Sequence, residues 1–594
     1  MSTNPFLTNE NLFFTVFRDK FLNHKIRNEK FDNQLLTVTI PYLNHNHKNL
    51  KDLLGSITLF CFIATEKDLM DYKNSNYSHM IQGLIYKLPE LKAGYLKDGL
   101  EVMAFNTDTL SIEPNSIPDS VYKLVIKSKT PYLPKNICPP SLKIFIWYQL
   151  SCNITSDFLP DGLLYLELNV SPLFRHQFKM VDSLPSSLTE ITCNNFLGFF
   201  PKNQLPNELN KLSLATDLTT FSQNFPLIYS KIQRYSLLLM ESVMDFSVLI
   251  GHKITKLDLA CTYHNRIHVG ELPETLLELF LRTYNFPLDA NVFPQGLQKL
   301  ELGDYNLEPL KPNVLPDSIT EMKLYNYNHP LNIQVLPNSL KKLSLIIFSQ
   351  PLLPGSLPNS LEILYTNQFN HPLLPLVLPE SLKKLTMATF NQKLRIGSLP
   401  SNLLHLEIPL YKRKLKEGCL PDKIKTLLFN HQRKLFFNQK ENIIIPPSVT
   451  HLISHYNGTI IVPPSVKELE IIYHKGSIIP PSVETMTIKT LGNSCKTLKQ
   501  EFIPNSVQTL KLSGYFKIPS DSLPHSVKSL IYGHSCKVKS IPDHVQKVEI
   551  FTEGNRPFLT IPLNAKSLKI PTNMFNGPGT LNSMILEDVF HYFD

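Results

Sequence analysis

Two histidine pairs, His264 with His268 and His451 with His455, are each spaced four residues apart. On a helix that spacing turns two imidazoles toward one metal ion. Neither stretch has a helical pattern, so no metal site is expected. The eight cysteines, at positions 61, 138, 152, 193, 261, 419, 495 and 536, are scattered, and no two form Cys-x-x-Cys. That is the pattern of reduced thiols, not of a zinc site or a disulfide framework. The phosphate-cradling loops GxGxxG and GxxxxGK, the zinc motif HExxH and the serine elbow GxSxG are all absent. Carboxylates are plentiful, but spacing along the chain pairs none of them for acid–base work. The sequence therefore proposes no catalytic, cofactor-binding or metal-ligating residue, and the protein is expected not to be an enzyme.

Binding chemistry remains. Lys341, Lys342, Lys383 and Lys384 form two basic doublets, with Glu362 and Tyr365 between them. These six residues are the candidate partner-binding set, and what could bring them together is a repeat. Leu-Pro-x-Ser-Leu-x-x-Leu-x-Leu recurs from Pro337, Pro358 and Pro379, with a close copy at Pro400, each 21 residues after the last. Self-similarity at such a period marks a solenoid.

Counted from the proline, apolar residues recur at +3, +6, +8, +11, +15 and +20: Leu340, Leu343, Leu345, Phe348, Leu352 and Leu357 in one unit. The pair at +6 and +8 alternates with polar neighbours, which is strand spacing. Proline has no N–H to give a ladder, so it stands before the strand. The serine two residues later is placed to satisfy a backbone group of the turn. An aromatic–Asn pair follows the strand (Phe369-Asn370, Phe390-Asn391), and then Pro-Leu and often Gly, as in Pro351, Leu352 and Gly355. Those residues forbid a regular helix in the return. Each unit is one short strand with an extended return, and stacked units give a parallel sheet. Positions +4, +5 and +7 then face outward. They include the six candidate residues together with Glu278, Lys299, Glu301, Glu321, Lys323, Ser344 and Thr386.

The pattern LPxSLxxLxL followed by FN-x-PL resembles the FNIP repeat, found in social amoebae and some giant viruses. The match is closest from about Pro273 to Ser401. The resemblance implies a leucine-rich-repeat-like solenoid and, for most members, no assigned activity. The segment Asn11–Phe31, with Leu12, Val16 and Phe17 on one side, resembles the leader that precedes such repeats. Some giant-virus relatives carry an F-box there, which implies a second reading: the substrate-recognition subunit of a cullin-type ubiquitin ligase.

The fold class expected is mainly β, a long parallel sheet of about 21-residue units with small helical caps at both ends. Residues 1–95 are read as an N-terminal helical or mixed cap, and 96–440 as FNIP-type repeats, irregular at 215–260. Residues 441–575 hold shorter, degenerate repeats, because Pro446, Pro463 and Pro480 are only 17 apart. Residues 576–594 are read as a capping helix. In the irregular part, the piece holding Leu237–Met240 is read as an insertion or a short helix. Trp147, the only tryptophan, falls at +8 and is expected in the core.

Apolar content of 42% against 18% charged describes a globular chain, and a net charge of +9 over 594 residues does not by itself call for nucleic acid. The N-terminus lacks a basic and apolar leader, and the apolar run Leu53–Thr65 is too short to cross a bilayer, so it reads as a buried strand. The expectation is a cytoplasmic, monomeric scaffold for an unidentified protein partner, with no cofactor, nucleic acid or membrane.

Overall fold

The computed structural model describes residues 34–51, 57–128, 137–154, 158–171, 184–195, 205–216, 234–239, 249, 253–259, 266–413, 417–429, 445–455, 462–474, 476–490, 495–519, 522–533, 536–538, 541–542, 544–551 and 568–569. The chain forms two units, Met1–His264 and Asn265–Asp594. Each is a parallel β solenoid. The expected helices at Asn11–Phe31 and in 576–594 lie outside the described residues.

In the second unit the ladder runs from the strand Glu278–Leu281 through Lys299–Leu302, Glu321–Leu324, Lys342–Leu345, Ile363–Thr366 and Lys384–Met387 to His405–Glu407 and Thr426–Phe429. Leu343 pairs with Leu364 and Leu364 with Leu385, so like positions of successive repeats lie side by side. The shorter units continue the same register, His451 opposite Thr426 and Glu468 opposite His451. The inward set closes as the spacing predicts: Leu340, Leu343, Leu345, Phe348, Leu352 and Leu357 are all buried.

The signature residues close hydrogen bonds between rungs. Within a turn, the Leu340 N–H donates to the Pro337 carbonyl at 3.2 Å. The serine at +2 then reaches across to the preceding rung. Ser360 donates to the Leu340 carbonyl at 2.8 Å, Ser381 to Leu361 at 2.7 Å and Ser465 to Val449 at 2.7 Å. The asparagine after the strand does the same in the other direction. Asn285 Oδ1 accepts the Asn306 N–H (3.0 Å), Asn306 accepts from Asn328 (2.8 Å), and Asn370 accepts from Asn391 (2.8 Å). The aromatic before it stacks on its neighbours: Phe348, Phe369, Phe390 and Tyr411 lie 6.4, 6.4 and 6.2 Å apart with interplanar angles of 10° or less.

One backbone requirement has a weak sequence trace. The residue three before each proline is left-handed: Gly270, Asn291, Asn313, Gln334, Gly355, Leu376, Gly397 and Gly418 all have positive φ. Glycine and asparagine take that conformation readily. Leu376 does not, and it stands there at φ 66° with 82% of its surface exposed.

The first unit differs in its returns and its faces. Its ladder begins before residue 95, pairing Gln34–Val38 with Ile57–Ile63, then Gly83–Tyr86, then Val102–Asn106. Two early returns are helical, α1 (Ile40–Lys51) and α2 (Glu66–Asn74), which is why the 21-residue spacing is missing there. Thr65 and Asp68 cap α2 reciprocally: Asp68 N–H donates to Thr65 Oγ1 at 3.2 Å, and Thr65 N–H to Asp68 Oδ2 at 2.8 Å. Over the rungs from Val102–Asn106 to Ile144–Leu150 both faces of this sheet are largely buried. Val102, Ala104, Val125 and Ile146, at the outward positions, are as enclosed as Leu124 and Phe145. Trp147 sits in the core at 1% exposure, between Phe145 and Phe158.

The reading of Leu237 as part of an insertion or helix is corrected. Arg234–Leu239 is a strand, with Leu237 opposite Leu214 on one side and Leu257 on the other. Its rung spacings of 23 and 20 residues, and the sequence RYSLLL without Leu-Pro-x-Ser, hid it from periodicity.

Three substitutions test this packing. Thr366 is 1% exposed between Leu345 and Met387, and its hydroxyl has no hydrogen-bond partner. Thr366→Val keeps the shape and removes the buried hydroxyl, so it should stabilise the protein by about 1 kcal/mol; an unchanged or lower denaturation midpoint would contradict this. Leu376→Gly relieves the left-handed leucine and loses little buried surface, and should raise the midpoint by a similar ~1 kcal/mol. Gly355→Leu, made at the equivalent turn, should lower it.

Candidate interaction surface

The outward face of the second unit carries two rows of side chains, set by the two-residue period of the strands. At +5 the row reads Glu278, Lys299, Glu321, Lys342, Ile363, Lys384, His405; at +7 it reads Phe280, Glu301, Lys323, Ser344, Tyr365, Thr386, Glu407. One residue earlier lies a third row, Lys341, Glu362 and Lys383, joined by main-chain bonds of 2.9 Å and 2.8 Å (Glu362 N to Lys341 O, Lys383 N to Glu362 O). All six candidate residues therefore share one face across three adjacent rungs.

Their charges are largely met within the face. Lys383 Nζ is 2.8 Å from Glu362 and Lys384 Nζ 2.8 Å from Glu407, while Lys342 reaches Glu321 at 3.9 Å. Further along, Lys323 lies 3.6 Å from Glu301 and Lys299 3.7 Å from Glu321. The hydrogen bond and charge of Lys383, with Lys341 adding to them, hold the Glu362 carboxyl below its ordinary pKa. Lys341 is exposed and makes no ion pair among the described residues. What sequence reasoning missed is the role of Glu321 and Glu407: opposite charges alternate along a row, and only register shows which carboxylate each lysine meets.

Tyr365 is half-buried, flanked in its row by Ser344 and Thr386. Its ring thus stands beside short side chains. Two residues expected to face solvent are covered instead. Glu301 is 6% exposed between Phe280 and Lys323, and Thr386 is 8% exposed while donating to Glu407 at 3.0 Å. With strands about 4.8 Å apart, longer neighbours close over shorter ones.

The histidine spacing resolves differently from a metal pair. His451 opens a strand and meets Glu468 on the next rung at 3.0 Å; His455 meets Glu470 at 2.5 Å. Lys489 from the following rung also reaches Glu470, at 2.6 Å. His268 is an exposed turn residue, and His264 lies outside the described residues. Among the described residues no group of three or more His, Cys, Asp and Glu could hold a metal ion, and no helix is long and apolar enough to cross a membrane.

The fold defines the class: a leucine-rich-repeat-like β solenoid. A solved structure described as CroV588, a novel circular LRR protein, shares it, with a TM-score of 0.52, 22% identity, and coverage of 89% of this chain and 84% of that one. The chain carries FNIP repeats: the FNIP Repeat family matches residues 263–305, 305–346, 348–389, 390–432 and 496–535. No curated protein matches it.

The Glu470 site makes a pH prediction. The hydrogen bond from His455, and after it Lys489, pull the Glu470 carboxyl down to about 2 against partial burial. A carboxyl depressed on folding contributes stability above its unfolded value, and that contribution is lost as pH falls toward the folded one. Glu470→Gln should therefore lower the urea midpoint at pH 7, and the gap to the parent should narrow steadily from pH 4.5 to 2.5. A gap independent of pH would show that the carboxylate charge is not what stabilises the site.

Proposed function

We propose that the chain is a non-enzymatic cytoplasmic scaffold that binds a protein partner through the outward face of its regular rungs, with Lys341, Lys342, Glu362, Tyr365, Lys383 and Lys384 as the contact set. The observation that carries the reading is Tyr365, an aromatic rising between Ser344 and Thr386 with lysines of both neighbouring rungs around it. Tyrosine offers a large contact area at low entropic cost and is enriched among the residues that dominate binding energy. The strands hold all six residues on a rigid surface, so little order has to be gained on docking. Lysines paired with Glu362 and Glu407 can exchange those carboxylates for a partner's, which favours specificity over raw affinity. Free thiols at Cys61 and Cys193 fit a reducing compartment.

Replacing Lys341, Lys342, Lys383 and Lys384 by alanine, alone and with Tyr365→Ala, tests the surface by pull-down from cell extract. The lysine variant should lose partners retained by the parent, and Tyr365→Ala should weaken retention further, by about tenfold or more if the ring is a binding anchor. An unchanged set of retained proteins in both variants would remove this face from consideration.

A further inference from the structure

The first unit holds a cleft of about 750 Å³ on the edge where four successive rungs enter their strands. Its floor is apolar, from Ile117, Ile137, Phe158 and Leu159, all buried. Its lining also includes three exposed aspartates, Asp98, Asp119 and Asp161, each beside the residue that opens its rung's turn. None of the three makes an ion pair among the described residues. Lys143 stands at one end, its Nζ donating to the Gly162 carbonyl at 3.1 Å, while Lys97 donates to the Ser75 carbonyl at 2.7 Å.

A second observation singles out this edge. Ser116 lines the cleft two residues before Pro118, is 3% exposed, and its hydroxyl has no hydrogen-bond partner. The same position elsewhere is satisfied locally. Ser356 donates to the Leu353 carbonyl at 2.8 Å, Ser398 to Arg395 at 2.8 Å and Ser522 to Pro519 at 2.7 Å. Ser116 makes no such bond to Glu113, three residues back, so its buried hydroxyl stays unmet in the wall of the cleft. Burying an unmet hydroxyl costs free energy that a ligand's N–H would recover.

From these features we infer that the cleft binds a basic, extended segment of a partner protein, a deeper reading that rests on the scaffold function proposed above. The carboxylates are spread along the edge: at about 4.8 Å per rung, Asp98 and Asp119 are one step apart and Asp161 two steps further. That spread does not converge on an atomic ion. It matches ammonium or guanidinium groups carried one to two and about three residues apart on an extended chain, which rises about 3.3 Å per residue. The apolar floor takes the aliphatic stems of lysine or arginine, whose heads reach the rim. Burial pushes the Cys138 thiol's pKa up, so it meets such a segment as a neutral group.

The test uses the full chain and a fluorescein-labelled peptide of repeated Lys-Gly-Gly, read by fluorescence anisotropy at low salt. Combined Asp98→Asn, Asp119→Asn and Asp161→Asn should weaken binding about tenfold, and salt should erase the difference. The combination Glu274→Gln, Glu417→Gln and Asp422→Asn removes the same charge from exposed positions of the second unit and should leave binding unchanged. Equal weakening by both sets, or no binding by the parent, overturns the inference. So does displacement of the peptide by spermidine at equal concentration, which would assign the cleft to a free polyamine. The two readings separate in the extract experiment. A partner kept by the aspartate variant sinks the cleft alone, whereas a parent that retains nothing sinks the scaffold function and leaves anisotropy to decide the cleft.

Discussion

The hydrogen bonds that close a rung are made with the rung beside it. In the regular repeats each strand is preceded by a proline that gives no N–H, so the turn is closed by the +3 amide, and the serine next to it turns outward to the preceding rung's carbonyl. The asparagine at the far end of the strand waits for the following rung's amide. A lone repeat would leave the Leu340 carbonyl without Ser360 and Asn370 without the Asn391 amide. Folding of one unit and stacking of its neighbours are therefore a single event. Buried polar groups are costly when unmet, and here the means of meeting them is always one repeat away.

This dependence explains why the signature holds more than leucines. Apolar residues at +6 and +8 would suffice to bury a face. They would not set register, because a slip by two residues still presents an apolar side. Serine, asparagine and the stacked aromatic each recognise a single position on the neighbour. Where one of them is absent, another group fills in: Ser349 N–H takes Asn328 Oδ1 at 2.8 Å although no asparagine follows Phe348, and His371 reaches the Ser349 carbonyl at 2.6 Å.

The outward faces of the two units follow from what lies at +5 and +7. In the first unit the early rungs carry valine, alanine and isoleucine at most of these positions and the face is closed there, while the later rungs bring in Tyr165, Glu190 and Thr192, which are half-buried. In the second, glutamates and lysines alternate over the first rungs (Glu278, Lys299, Glu321 and Lys342 at +5) and mix with Ser344, Tyr365 and Thr386 further on, and the face remains a largely polar surface whose charges satisfy one another between rungs. Such a surface is soluble without being inert. Its ion pairs are exposed and individually weak, so a partner with better-placed charges can displace them.

The amino-acid sequence alone determined the architecture wherever the period was regular. Proline positions dated each strand to the residue, the inward leucines of residues 337–399 were assigned correctly, and the shared face of Lys341, Glu362 and Tyr365 followed from the 21-residue spacing. The apolar run Leu53–Thr65 was legible as a buried strand and contains Ile57–Ile63, but the sequence did not reveal the strands at Gln34–Val38, Gly83–Tyr86 or Arg234–Leu239, because periodicity is a relation between repeats and disappears when returns change length. Nor did it reveal which glutamate neutralises which lysine, or that Glu301 and Thr386 are covered. Those depend on side chains from different rungs held about 4.8 Å apart. The cleft beneath Asp98, Asp119 and Asp161 is of the same kind. Its residues span more than sixty positions of sequence, and only stacking, which turns a repeat distance into a contact distance, makes them neighbours.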